Sequence, residues 1–190
     1  MTWRGMREGG RRSIRLRGYD YASPGWYFVT ICTENRVPRL ATVRRRNMAP
    51  TWIGEIVRDV WATLPLRFPH ICVDSFIVMP DHVHGILVIK ERGEPAPVRT
   101  RVSDVRRSAI DRARPMNAFR ARGVRAGSLA AVVQRFKAGT ARRVRFIDGD
   151  VSRLWQRNYH ERILGNVDAI AATRRYIDNN PAVWIARRTR

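Results

Sequence analysis

A chain of 190 residues of which 44% are hydrophobic is long enough for one globular domain with a real core. Its 37 basic against 16 acidic residues give a formal net charge of +21, nearly all arginine because only Lys90 and Lys137 are lysines, and this favours a polyanionic partner: nucleic acid first, an anionic membrane surface second. The composition argues against a membrane span, which needs roughly 18 consecutive apolar residues, and against a disulfide scaffold, because Cys32 and Cys72 lie in apolar runs and read as small buried side chains of a soluble, cytoplasmic protein.

Residues 1–18 carry six arginines against Glu8, show no apolar periodicity and read as a basic flexible arm. The aromatic and β-branched run GWYFVTICT at 25–33 predicts a first strand, ended by ENRVPR. In PTWIGEIVRDVWATLP the residues Ile53, Ile56, Val57, Val60, Trp61 and Leu64 recur at helical spacing and predict an amphipathic helix closed by Pro65. ICVDSFIVM and HVHGILVI predict two strands joined at Pro80-Asp81, a pair suited to a turn and not to a ladder. Residues 91–126 hold ten arginines, four acids and three prolines with few large apolar side chains, the composition of a basic flexible insertion. Leu129, Val132, Val133 and Phe136 restore helical spacing behind a Ser128 cap, while the other face of that helix is almost all Gln, Lys and Arg. RLWQRNYHERIL predicts a last strand. NVDAIAATRRYIDNNP predicts a last helix, with Asn166 as its cap, Asp168 in its first turn and Pro181 at its end, before a basic tail at 186–190.

The order strand, helix, strand, strand, helix, strand, helix predicts an α+β fold: a ferredoxin-like antiparallel sheet (βαββαβα) with the helices packed on one face. A single domain would span 19–185, interrupted by the insertion.

In the second strand of the hairpin, His82 and His84 are alternate residues that point to one side, about 6.6 Å apart at ~3.3 Å per residue. A single metal ion bridges such a gap, although surface histidines on a half-exposed strand read the same way. Two ligands make an incomplete site, and the last helix offers Tyr176 and Asn180 at i and i+4, a hydroxyl nucleophile beside an amide oxygen. Asp81 either orients His82 or accepts from the turn backbone. Asn180 serves equally as a helix terminator before Pro181. Tyr159, close to Trp155 and His160, is the rival hydroxyl, but a strand position with no amide partner at +4 suits it less. His70 and His160 suggest no role beyond surface contacts.

VMPDHVHGILVI, with LWQRNYHERIL and RRYIDNNP after it, resembles the HUH transposases of single-stranded DNA that use one catalytic tyrosine, and within them the REP-associated tyrosine transposases. The resemblance runs from about Arg12 to Trp184, takes in RRSIRLRGYDYASPGWYFVTICT and SLAAVVQRFKAGTARRV, and skips the insertion. His-x-His alone is common; its combination with VMP before it and YIxxNP after it is specific. The resemblance implies a ferredoxin-like sheet holding both histidines and a helix presenting the tyrosine. It further implies that His82, His84 and Asn180 hold a divalent ion, Mg²⁺ or Mn²⁺, with Asn180 where related transposases have glutamine four residues after the tyrosine. Tyr176 would then attack a phosphorus, leaving a 5′-phosphotyrosine and a free 3′-OH. A phenol with the ordinary pKa of about 10 is protonated at neutral pH, so a cation must stabilise phenolate as the bond forms. Leu164-Gly165, where many relatives carry isoleucine and arginine, departs from the pattern.

The activity so implied is metal-dependent nicking and joining of single-stranded DNA, the chemistry of DNA transposition and recombination, on hairpin or palindromic repeat DNA in a nucleoid-associated protein. Arg135, Lys137, Arg142 and Arg143 are the candidates to follow the DNA backbone, and Trp155, Gln156 and Tyr159 those to meet unpaired bases. Related transposases act as dimers exchanging tyrosine helices and the REP-associated branch as monomers, so a homodimer stays open. A reading of a different class is a catalytically inactive DNA- or RNA-binding regulator of the same fold, whose binding would survive Tyr176→Phe. A zinc hydrolase built on His-x-His would need a third strong ligand, which a neutral amide is not.

Overall fold

The computed structural model describes residues 18–44, 47–91, 124–149 and 153–188. The arm expected at 1–18 and the insertion expected at 91–126 lie outside these residues except at their edges, and the basic tail is described only as far as residue 188. In chain order the elements are β1 (Gly25–Cys32), a hairpin of β2 (Ala41–Arg44) and β3 (Asn47–Pro50), α1 (Trp52–Ala62), one turn of α2 (Leu64–Arg67), β4 (Ile71–Val78), β5 (His82–Ile89), α3 (Leu129–Asp148), β6 (His160–Leu164) and α4 (Val167–Arg188). The main sheet is antiparallel with the order β4-β5-β1-β6. β5 is thus inserted between β1 and β4, the two strands that α1 connects, which is the split βαβ arrangement of the ferredoxin-like fold.

Alternation along the strands sends Tyr27, Val29, Ile31, Val73, Val83, Leu87 and Ile89 to one face, where they meet Val57, Val60 and Trp61 of α1 and Leu129, Val132, Val133 and Phe136 of α3. The helical spacing seen in the sequence is therefore the core stripe of both helices. Each begins on a side-chain cap, Thr51 accepting from the Gly54 N–H and Ser128 from the Ala131 N–H. Trp61 stacks on Phe76 with ring centroids 4.4 Å apart and also covers Gly85, where a Cβ would come within 2.4 Å of the indole. That close approach is the reason a glycine follows His84. The opposite face of the sheet is covered by α4, through a smaller cluster of Ile86, Leu164 and Ile177 with Trp26, Phe28 and Ile77 around it. The α+β antiparallel sheet stands as expected, but its helices do not share one face: α1 and α3 cover one side and α4 the other, which buries β5 on both sides.

One element is not expected from the sequence, and two local expectations need correction. The β2–β3 hairpin lies between the first strand and the first helix, where the sequence pattern predicts no element. The last strand begins only at His160, not at Arg153: the carbonyls of Gln156, Arg157 and Asn158 point at the Lys137 ammonium and not at a neighbouring strand, and Trp155 makes a single bridge to Thr33. α4 does not stop at Pro181 but continues to Arg188. The proline removes one N–H, the donor that would have met the Ile177 carbonyl, and beyond it Trp184 packs with its ring 5.6 Å from that of His82. Asn180 therefore lies inside a helix and does not terminate one.

Candidate active site

β5 opens at His82, directly after the Pro80-Asp81 turn. The turn is pinned by backbone: Met79 N–H donates to the His82 carbonyl, Thr33 N–H to the Asp81 carbonyl and Leu40 N–H to the Pro80 carbonyl, each at 2.9 Å. Sheet register sets Cys32 opposite His82 and Thr30 opposite His84. His84 Nδ1 lies 2.9 Å from Thr30 Oγ1, and His82 Nδ1 donates to Asp81 Oδ1 at 2.5 Å. With the δ nitrogens so engaged, the two Nε2 atoms converge to 3.1 Å. Two neighbouring ligands of an octahedral ion, each about 2.1 Å from it, stand about 3.0 Å apart, so the pair fits a single hard cation with outer partners fixing both rings.

Both histidines are 5% exposed. Burial pushes His84 down to about 3, with the charges of His82 and Arg36 acting in the same sense and Asp81 opposing them, so its imidazole is neutral at ordinary pH, the form that ligates metals. Burial alone would raise the Asp81 carboxyl, but its hydrogen bond and charge interaction with His82, together with Arg36, outweigh that and hold it below the usual carboxylate range. Arg36 Nε stands 2.9 Å from Asp81 Oδ2, completing a chain from Arg36 through Asp81 to His82. Asn35 and Arg36 have φ of 51° and 57°, a left-handed conformation that non-glycine residues seldom adopt and that often accompanies functional sites.

α4 brings Tyr176 to this pair. The tyrosine hydroxyl lies 3.4 Å from His84 Nε2, while the residue keeps 51% of its surface exposed. Phe28 buttresses it, stacking on His84 with centroids 5.3 Å apart and meeting Tyr176 edge-on at 5.9 Å. α4 is anchored by Arg174, whose Nε and Nη2 donate to the two oxygens of Asp74 at 2.8 and 2.9 Å. Asp74 sits in a bulge of β4, where it and Ser75 stand opposite the single residue Ile86. Tyr176, Asn180, His82, His84 and Arg36 all line one cavity of about 420 Å³. The structure thus brings together the four residues singled out for chemistry. Among the described residues there is no cluster of three His, Cys, Asp or Glu, so an ion here would rely on the histidine pair and the Asn180 amide.

The residues singled out for DNA contact separate into groups. Arg135, Arg142 and Arg143 line a shallow cleft with Arg67, on the side of the sheet covered by α1 and α3 and not on the Tyr176 side. Burial and the three neighbouring guanidinium groups lower the Arg67 pKa. Lys137 is not free for phosphate: its ammonium donates to three carbonyls at 2.9 to 3.3 Å, and burial pushes it down to about 8. Trp155 is not a stacking platform either, being 5% exposed with its indole N–H donated to Thr140 Oγ1 at 2.7 Å. Gln156 and Tyr159 are half-buried beside it, Tyr159 packing at the edge of the core. Sequence reasoning overlooked Thr30, Phe28 and Arg36. Strand alternation held a signal for the first two, two and four residues before Cys32; nothing in ENR marks Arg36.

No protein-family model matches the chain. An uncharacterised protein of Haemophilus influenzae is 31% identical over 177 residues, covering 92% of this chain and 89% of that protein. The chain belongs to that protein's family. Among solved structures, a REP-associated tyrosine transposase bound to a REP hairpin is similar with a TM-score of 0.54, over 88% of this chain and 72% of that one, at 15% sequence identity. The chain thus has a transposase-like fold. Among the described residues no helix is long and apolar enough to cross a membrane.

Proposed function

We propose that this protein nicks and rejoins single-stranded DNA, with Tyr176 as the nucleophile and His82, His84 and Asn180 holding Mg²⁺ or Mn²⁺. The observation that carries the reading is a half-exposed phenol whose oxygen is 3.4 Å from His84 Nε2, beside two buried imidazoles whose Nε2 atoms are 3.1 Å apart. The net charge of +21 and the likeness to a transposase solved with a DNA hairpin support a nucleic-acid substrate, a hairpin foremost.

Tyr176 Oη attacks the phosphorus as the bond from phosphorus to the 3′ oxygen breaks. The phenol gives up its proton and the departing 3′ oxygen takes one, leaving a 5′-phosphotyrosine and a 3′-OH; the reverse attack by a 3′-OH rejoins the strand. The ion, when bound, neutralises charge on the phosphoryl oxygens and favours phenolate. Asp81 and Thr30 orient the two imidazoles, Arg36 offers its guanidinium at the cavity edge, and the Arg174–Asp74 pair fixes the helix that presents the nucleophile. Arg135, Arg142 and Arg143, joined by Arg67, hold backbone phosphates away from the reacting centre.

The test is to mix purified protein with hairpin oligonucleotides from the DNA flanking its gene, in Mn²⁺ or in EDTA, and look for an SDS-resistant protein–DNA adduct. An adduct that needs metal, persists in Tyr159→Phe and vanishes in Tyr176→Phe is expected. Tight, salt-sensitive binding without any adduct would contradict the enzyme reading and favour a DNA- or RNA-binding regulator.

A further inference from the structure

A second cavity of about 330 Å³ shares Thr30 and Tyr176 with the histidine cavity and opens between β6 and α4. Phe28 and Tyr176 wall it, and Arg162, Thr173 and Ala172 edge it. The nicking chemistry uses none of this space. Arg162 is held at its rim: Nη2 donates to Thr173 Oγ1 at 2.9 Å, and the guanidinium lies 5.8 Å from the Phe28 ring centre. Thr173 is itself 1% exposed and donates to the Ala169 carbonyl at 2.7 Å, so the guanidinium rests on a fixed partner. An apolar recess with a few placed polar groups is what a small planar ligand needs.

We infer that this recess is a nucleobase pocket, which seats one unpaired base flanking the phosphate at Tyr176, and that Arg162 selects guanine there. The inference rests on the Tyr176 reading for which phosphate the base adjoins. A phosphodiester at the tyrosine hydroxyl carries a nucleoside on each side, and the pocket begins at the same tyrosine. Unpaired bases in single strands are commonly splayed out and read edge-on against aromatic walls. A guanidinium fork matches the adjacent O6 and N7 acceptors of guanine, and no other base offers two acceptors on that edge. Electrostatic attraction alone would not discriminate among bases, so base selectivity is the property to measure.

Equilibrium binding of the full chain to a labelled thymidine dodecamer, and to the same oligomer with one central guanine, tests this in EDTA, where no cleavage intervenes. The guanine oligomer should bind about tenfold tighter. Arg162→Lys keeps the charge but loses the fork, and should erase that advantage while changing thymidine affinity by no more than about twofold. Ala172→Phe places a ring in the space that Ala172 lines while keeping the Arg162 guanidinium in the chain, and should erase it as well. Equal affinity of the wild type for both oligomers would overturn the pocket, and so would a guanine advantage that survives both substitutions. An adduct without guanine preference overturns the pocket and spares the nucleophile; guanine preference without an adduct keeps the pocket and removes the Tyr176 chemistry.

Discussion

On the face of β5 that meets α1 and α3, Val83, Leu87 and Ile89 lie among apolar side chains; on the face that meets α4, the alternate positions are His82 and His84, among hydrogen bonds to Asp81 and Thr30. Every residue of the strand is buried, so the two faces differ in content and not in access to water. The first face stabilises the fold through apolar area removed from water. Buried polar pairs return little net stability because desolvation offsets their attraction. The second face carries the residues of the proposed chemistry, and Ile86, Leu164 and Ile177, with Trp26, Phe28 and Ile77 around them, supply its apolar seal.

Single substitutions put that contrast to the test. Tyr176→Phe should lower adduct formation by a factor on the order of 10³ or more, while urea unfolding shifts by less than about 0.5 kcal/mol because the residue is 51% exposed. Phe136→Ala should do the reverse: stability falls by about 3–5 kcal/mol, and adduct yield per folded molecule stays intact.

Acid should separate the faces too. His84 titrates at about 3 in the folded protein against 6.5 in the unfolded chain. Between those values the unfolded state binds a proton that the folded state refuses, so stability declines as pH falls, by up to about 1.4 kcal/mol per pH unit. Asp81 acts in the same direction: its lowered pKa gives stability that is present above the unfolded value of 3.8 and is lost as pH drops through the folded value. Urea titrations in EDTA between about pH 6 and pH 4 should show this slope in the wild type and a flatter one in His84→Gln. The smallest effect belongs to Asp74→Asn. It removes one charge of a pair whose arginine side chain is 33% exposed, and should lower stability by about 1–2 kcal/mol with a modest loss of adduct rate. A loss as large as that of Phe136→Ala, with the adduct rate unchanged, would make the α4 face part of the folding core.

The core side of the molecule is legible in the sequence because apolar area leaves a period: Ile53, Val57, Val60 and Trp61 in α1 and Leu129, Val132, Val133 and Phe136 in α3 all fall on the stripe they predict. α4 is legible at its start, where the Asn166 side chain accepts from the Ala169 N–H at 2.8 Å, but not at its end, because Pro181 breaks a helix only where no tertiary contact continues it. Trp155 misleads for a related reason: between Leu154 and Gln156, with Arg153 and Arg157 just beyond, it reads as exposed, although Phe136 and Thr140 enclose it. At the site, strand alternation and the i, i+4 spacing are enough to join His82 with His84 and Tyr176 with Asn180. What joins the two pairs, the bulge that aims Asp74 at Arg174, is a backbone irregularity with no residue signature.

The most direct measurement is to map the DNA-linked residue itself. Protein reacted with a hairpin oligonucleotide in Mn²⁺ would be digested with trypsin and nuclease, and the phosphonucleotide-bearing peptide sequenced by mass spectrometry. The nucleotide should be found on the first residue of YIDNNPAVWIAR, which is Tyr176. A nucleotide on the peptide NYHER, at Tyr159, or adduct-free protein under conditions of saturated binding, would contradict the assignment of Tyr176 as the nucleophile.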